Sequence, residues 1–226
     1  DLQREDIVVQ LLSKRFIEWQ ENGYIPTDRI ESGDETTRLY KERGWQYWHQ
    51  LFNPRQLLVN GTFISYLEKL AKTQFQKSIG ILGVNKSLNW GSRLSMWNNA
   101  AVAEKPDSTF INQALNTLFN YGCRALNMLE TCFVFTISSN NCSTSNVELL
   151  DARFIKSINH YWITDPPYAD AVNYHELSEF FLAWDKTLLK KAFPEWYTES
   201  KRKDAVKGND ENFTKAMIDV YRNLTN

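Results

Sequence analysis

Cysteine, proline and glycine are all scarce in this chain: 3, 6 and 9 residues among 226. The cysteines, Cys123, Cys132 and Cys142, are odd in number and widely spaced, which fits neither a disulfide framework nor a Cys-x-x-Cys zinc site. They read as free core thiols. The histidines, His49, His160 and His175, show no His-x-x-x-His or mixed Cys/His spacing, so no metal site is expected. Gly-Lys-Ser/Thr phosphate loops and Ser-centred nucleophile elbows are also missing. No apolar run approaches the roughly 18 residues of a membrane span. Charged residues break up the first thirty positions, so no secretory apolar region is present. A cytoplasmic protein with no membrane partner is expected. Position 1 is Asp, and the first residues already follow helical spacing; the chain reads as a piece of something longer.

Charge is abundant but unevenly placed. The formal net charge of −1 averages over blocks of −5 (residues 1–35), +7 (36–105), −6 (106–185) and +3 (186–226). In the +7 block, Arg38, Lys41, Arg43, Arg55, Lys69, Lys72, Lys77, Lys86 and Arg93 alternate with Trp45, Tyr47, Trp48, Phe52, Phe63, Tyr66 and Trp90. That mixture suits phosphate contacts combined with base stacking, and it equally suits a solvated helix face over an aromatic core. Arg55, Lys69 and Lys72 are the candidate nucleic-acid contacts.

Ile7, Val8, Leu11, Leu12, Phe16 and Trp19 recur at helical spacing, predicting one helix over 2–21 that stops at Asn22-Gly23. A loop through Pro26 and Gly33 leads to a short helix around 37–52, interrupted near Gly44. Asn53-Pro54 is an N-cap followed by proline, opening a long helix. Residues 80–108 read as irregular, 110–135 as largely helical, and 138–146 as a Ser/Asn-rich connection. Val147–Leu150 and Tyr161–Thr164 are strand-like runs, and helices are expected over 175–191 and 211–224. The pattern predicts an α/β fold with a large helical insertion. Three segments follow: 1–36 (helix and acidic loop), 37–145 (basic, aromatic, mainly helical) and 146–226 (strand, loop and helix).

The sharpest motif is Asp165-Pro166-Pro167-Tyr168, directly after the second strand-like run. Its chance occurrence in a chain of this length is roughly one in a thousand. Sheet proteins place ligand-binding loops at the carboxyl ends of strands. Such a loop suits methylation of an exocyclic amine on a nucleobase, whose nitrogen lone pair is delocalised into the ring. A carboxylate can accept one N–H and a backbone carbonyl the other, drawing the nitrogen toward tetrahedral geometry. Consecutive prolines fix φ and remove competing donors, so their carbonyls are held out for a ligand. Tyr168 offers a face on which an extruded base can stack.

Asp-Pro-Pro-Tyr after an apolar strand resembles the catalytic motif of amino-methylating DNA methyltransferases. Arg43-Gly44-Trp45, the run from Trp48 to Leu58, Asn173-Tyr174 and Glu176 to Phe181 resemble the large prokaryotic adenine-specific DNA methylases, described as containing a zinc ribbon. The resemblance implies a Rossmann-like methyltransferase sheet, S-adenosylmethionine as cofactor, DNA as partner and methyladenine as product. It further implies that Asp165, Pro166 and Pro167 hold the target amine and that Tyr168 stacks on the base, with Asp165 also near the cofactor. Asp151 resembles the acidic residue near the cofactor's adenine, and it is equally an N-cap.

The sequence departs from that family in three ways. The Phe-x-Gly-x-Gly cofactor loop is missing, its ribose-binding acidic residue is not identifiable, and there is no zinc-ribbon cysteine pattern. The expectation is an internal fragment of a methylase, partnered by the remainder of the full-length chain and inactive by itself. Cytosine or an RNA base is an alternative target, and a non-catalytic nucleic-acid-binding module is the alternative from another class. Glu176 and Glu179, one helical turn apart, are expected either to share a face near the site or to cap and solvate the start of their helix.

Overall fold

Helix boundaries in the computed structural model follow capping chemistry more than hydrophobic period. It describes residues 2–98, 106–111, 115, 129–134, 136, 146–166, 173–202, 205–206 and 210–225. The helix expected over 2–21 is two, α1 (Leu2–Ser13) and α2 (Phe16–Glu21). Between them the Arg15 N–H donates to Leu12 O at 2.9 Å, a tightened turn that re-aims the chain. Leu12 and Trp19 are thereby both buried. Trp19 lies against α4 (Pro54–Leu70) at Gly61, where an added Cβ would stand 2.4 Å from the indole ring. Only glycine admits that approach.

α3 (Thr37–Arg43) ends on Gly44, whose φ of 68° is the left-handed conformation that terminates helices. A 3₁₀ turn, Trp48–Leu51, leads to Asn53. Asn53 Oδ1 accepts from the Gln56 N–H at 2.9 Å while Gln56 Oε1 accepts from the Asn53 N–H, and Pro54 occupies the first turn. The N-terminus read from the sequence is therefore confirmed in both position and cause.

α5 (Gln74–Trp90) corrects the expectation of irregular structure from residue 80. Gly80 and Gly83 are contact points inside a helix: a Cβ at Gly80 would meet Leu67 of α4 at 2.0 Å, and one at Gly83 would meet Phe133 at 2.3 Å. Close helix packing outweighs glycine's intrinsic cost of about 1 kcal/mol. α6 (Leu129–Cys132) packs on α5. Beyond these four residues and Phe133, Val134 and Thr136, the stretch expected to be helical over 110–135 and the connection at 138–146 lie largely outside the described residues.

α7 (Tyr174–Ala192) crosses α5 and carries Leu177, Phe180, Trp184 and Leu188 into the core. Phe52 stacks on Phe180 with centroids 5.7 Å apart and meets Trp184 edge-on at 4.9 Å. One hydrophobic core draws on residues from Leu12 to Leu188. α8 (Asp210–Thr225) packs on a 3₁₀ turn at Ala152–Phe154, where Asn223 donates to Ile155 O. No helix among the described residues is long and apolar enough to cross a membrane.

The α/β expectation, a partial Rossmann-like sheet, is overturned. The described residues are 59% helix and 2% strand, with no sheet. Among the described residues the β pairing consists of two isolated bridges, Arg29 with Tyr47 and Trp97 with Pro106. Among the described residues Val147–Leu150 and Tyr161–Thr164 have no ladder partner; all but the half-buried Trp162 are exposed, Ile163 fully so. The period of a strand is present in these residues, but a strand is stable only against neighbours, and the helical core supplies none.

Candidate functional site

Asp165 and Pro166 are exposed at the end of the extended Tyr161–Thr164 run. The Asp165 carboxylate makes no hydrogen bond or ion pair with the described residues, so it is available to a ligand. Pro167 and Tyr168, the other half of the motif, lie outside the described residues. Chemically, the described half is a solvated acceptor followed by a proline that has no N–H to compete for it.

Asp151 is committed elsewhere. Its side chain caps the Ala152–Phe154 turn by accepting from the Arg153 N–H at 2.9 Å. Both oxygens also accept from Arg153 Nε at 3.0 Å, and the ion pair is closed by the second guanidinium nitrogen. That guanidinium holds the Asp151 carboxyl below the usual carboxylate range. Of its two sequence readings, the N-cap is the one whose geometry is present. Neither the cleft along α8 nor the one between α4, α5 and α7 is lined by Asp151 or Asp165.

The basic, aromatic block separates into buried and exposed parts. Trp45, Trp48 and Phe52 belong to the core. Arg55 donates to Glu5 at 2.9 Å and ties α4 to α1. Arg38 pairs with Glu35 and Glu42, Lys86 donates to Thr131 O, and Arg93 lies over the Trp45 ring. Without an acidic partner among the described residues are Lys41, Lys69 and Lys72, all exposed, and the half-buried Lys77, with Lys72 Nζ on the Lys69 carbonyl at 2.7 Å. Tyr66 and Phe75, 56% and 61% exposed, are the large aromatics left open on α4 and α5. Of the predicted contacts, Lys69 and Lys72 therefore stand together, while Arg55 and Asp151 are used within the fold.

Glu176 and Glu179 do not solvate the start of α7; both are buried. The Glu176 carboxylate accepts from the N–H groups of Asp34, Glu35 and Thr36 at 2.9, 3.0 and 3.0 Å, and from the Thr36 hydroxyl at 3.2 Å. It thus caps the segment that opens α3 from the far end of the chain. Gly33 makes room for it, since a Cβ there would lie 2.2 Å from the carboxyl carbon. Glu179 takes Arg202 in a fork, at 2.6 and 2.9 Å, and Arg202 also donates to Ser32 O at 2.9 Å. The fork favours the charged guanidinium still further. The two carboxylates fix the segment just after the motif to the 31–36 loop. Spacing alone could not give this, because both partners are distant in sequence; glycine in an acidic loop was the one local signal.

His49 Nδ1 meets Pro26 O at 2.9 Å, and burial lowers the imidazole's pKa. Among the described residues no group of three His, Cys, Asp or Glu side chains could hold a metal ion. No family model matches the chain, and neither a curated protein nor a solved structure matches it.

Proposed function

We propose that the chain is the base-handling part of an adenine-specific DNA methyltransferase. The observation that carries this is the solvent-facing Asp165, without a partner among the described residues, followed by Pro166 in the sequence Asp165-Pro166-Pro167-Tyr168. The carboxylate accepts one N–H of the adenine amine, and a proline carbonyl accepts the other. Tyr168 packs on the base once it leaves the stack. The gain in rate comes from positioning and preorganised acceptors. S-adenosylmethionine is the donor the resemblance implies, supplying an activated methyl group. In this reading Asp165 and the proline carbonyls handle the amine, and the donor is held by other residues.

A second reading, a nucleic-acid-binding module without chemistry, is favoured by Lys69, Lys72 and Lys77, three ammonium groups without acidic partners among the described residues. One experiment separates the two. Asp165→Ala in the full-length protein is assayed for methyl transfer to DNA and for DNA binding. Loss of transfer with binding retained supports the catalytic reading. Retained transfer rejects it.

A further inference from the structure

The C-terminal end of α4, the first half of α5 and the C-terminal end of α7 enclose a cleft of about 230 Å³. Leu67, Ile81 and Leu188 form its aliphatic floor, and Ile81 and Leu188 are themselves core residues. Three ammonium groups, from Lys72, Lys77 and Lys191, stand on the rim against a single acid, Glu68. That acid is already shared: it accepts from the Tyr24 hydroxyl and pairs with Lys191. Lys72 has only the Lys69 carbonyl, and Lys77, half-buried beside the floor, has no side-chain partner among the described residues. An occupant must therefore bring negative charge for Lys72 and Lys77 together with an apolar surface for the floor. The volume lies below the roughly 300–1,000 Å³ of drug-sized pockets, so one ring-sized group fits and a large ligand does not.

We infer that this cleft receives one nucleotide of an unpaired strand, the base against the aliphatic floor and the flanking phosphates on Lys72 and Lys77. This rests on the nucleic-acid reading above but needs nothing from Asp165. A duplex presents phosphates yet keeps its base faces stacked, so it can satisfy the rim and not the floor. Apolar side chains hold extruded bases in other proteins, and the negative backbone supplies the charge complementarity.

The test measures Kd for the full chain by fluorescence anisotropy. The probes are a six-nucleotide single strand, a strand of equal charge lacking its bases, and a blunt duplex; AMP and hexaglutamate serve as competitors. The base-bearing strand is expected to bind about fivefold or more tightly than the abasic one, from the apolar area the base and the aliphatic floor remove from water. Lys72→Ala and Lys77→Ala should each flatten the slope of log K against log salt by about 0.7. Both positions lie at the solvent edge, and far-UV circular dichroism checks that the helices persist. Equal binding of abasic and base-bearing strands overturns the proposal, as does a duplex binding equally well. Binding of AMP without strand binding, or displacement by hexaglutamate as effective as by the strand, likewise rejects a strand as the occupant. None of these results depends on methyl transfer, so this proposal and the catalytic one fail separately.

Discussion

Asn85 Nδ2 donates to Asp185 Oδ2 at 2.7 Å across the seam between α5 and α7, and each residue is left with a buried oxygen that has no partner. Two acceptors without a donor are costly in a dry seam. A proton on the carboxyl turns one of its oxygens into a donor. Burial pushes the Asp185 pKa up from 3.8 to about 7, and the Asn85 hydrogen bond offsets only part of that shift.

The sign of the resulting pH dependence follows from proton counts. Between about pH 4 and 7 the folded chain holds the Asp185 proton and the unfolded chain does not, so stability falls as pH rises through that window. The stabilisation is fully present below the unfolded value and is lost as pH passes the folded one. The whole effect is roughly 4 kcal/mol at most, from about three pKa units. Asp185→Asn, neutral at every pH, should flatten this decline in urea unfolding followed by tryptophan fluorescence. Asp151 acts in the opposite sense and in a lower window, because its depressed pKa gives stability that disappears as pH falls below about 4. An unchanged slope between pH 4 and 7 in the Asn variant would show that Asp185 is ionised in the fold.

Glu176→Ala should be far more damaging than its position in the sequence suggests. It strands three backbone donors, of which the Thr36 N–H is buried, and a buried donor left unsatisfied costs about 1–3 kcal/mol. Glu176→Gln keeps the shape and one acceptor oxygen, so it should lose less. Gly33→Ala should resemble Glu176→Ala, because its methyl group would occupy the carboxylate's place. The denaturation midpoints of the three variants give the order. A Gly33→Ala protein as stable as the parent would mean that the loop and α7 are not joined this way.

Cys132 is fully buried beside α5, and burial pushes its thiol pKa up, with the Lys86 ammonium pulling more weakly the other way. The reactive thiolate is thus scarce and inaccessible. Iodoacetamide should label Cys132 at least about tenfold more slowly in the native chain than in urea, as read by peptide mass mapping. Native labelling at the unfolded rate would place this thiol outside the core.

Local chemistry was legible in the sequence, and long-range partnership was not. Asn53-Pro54 announced α4, and the period through Leu177, Phe180, Trp184 and Leu188 announced α7, because both signals are contained within a turn or two of chain. Gly80 and Gly83 misled in the opposite direction: glycine marks either an irregular segment or a close helix crossing, and only the presence of Leu67 and Phe133 decides between them. The same limit applies to the candidate site. Arg55 and Asp151 look like ligand-binding residues until Glu5 and Arg153 are seen to occupy them. Lys72 and Lys77 were visible as charge, but the aliphatic floor beside them is assembled from three helices.

The strand-like runs give the last prediction. Ile158, Tyr161 and Ile163 are 93%, 88% and 100% exposed, with Phe154 and Val147 close to 70%. Their backbone lacks a ladder partner among the described residues. Contiguous apolar surface on an unpaired extended segment is a template for association. The chain by itself should bind an apolar dye such as ANS and show concentration-dependent light scattering. Tyr161→Lys with Ile163→Lys should reduce both by about half or more while leaving the helical circular dichroism unchanged, since neither side chain touches the core. Scattering and dye binding that survive both substitutions would move the associating surface elsewhere, to the exposed apolar residues of α1, where Leu2, Ile7 and Val9 also face solvent.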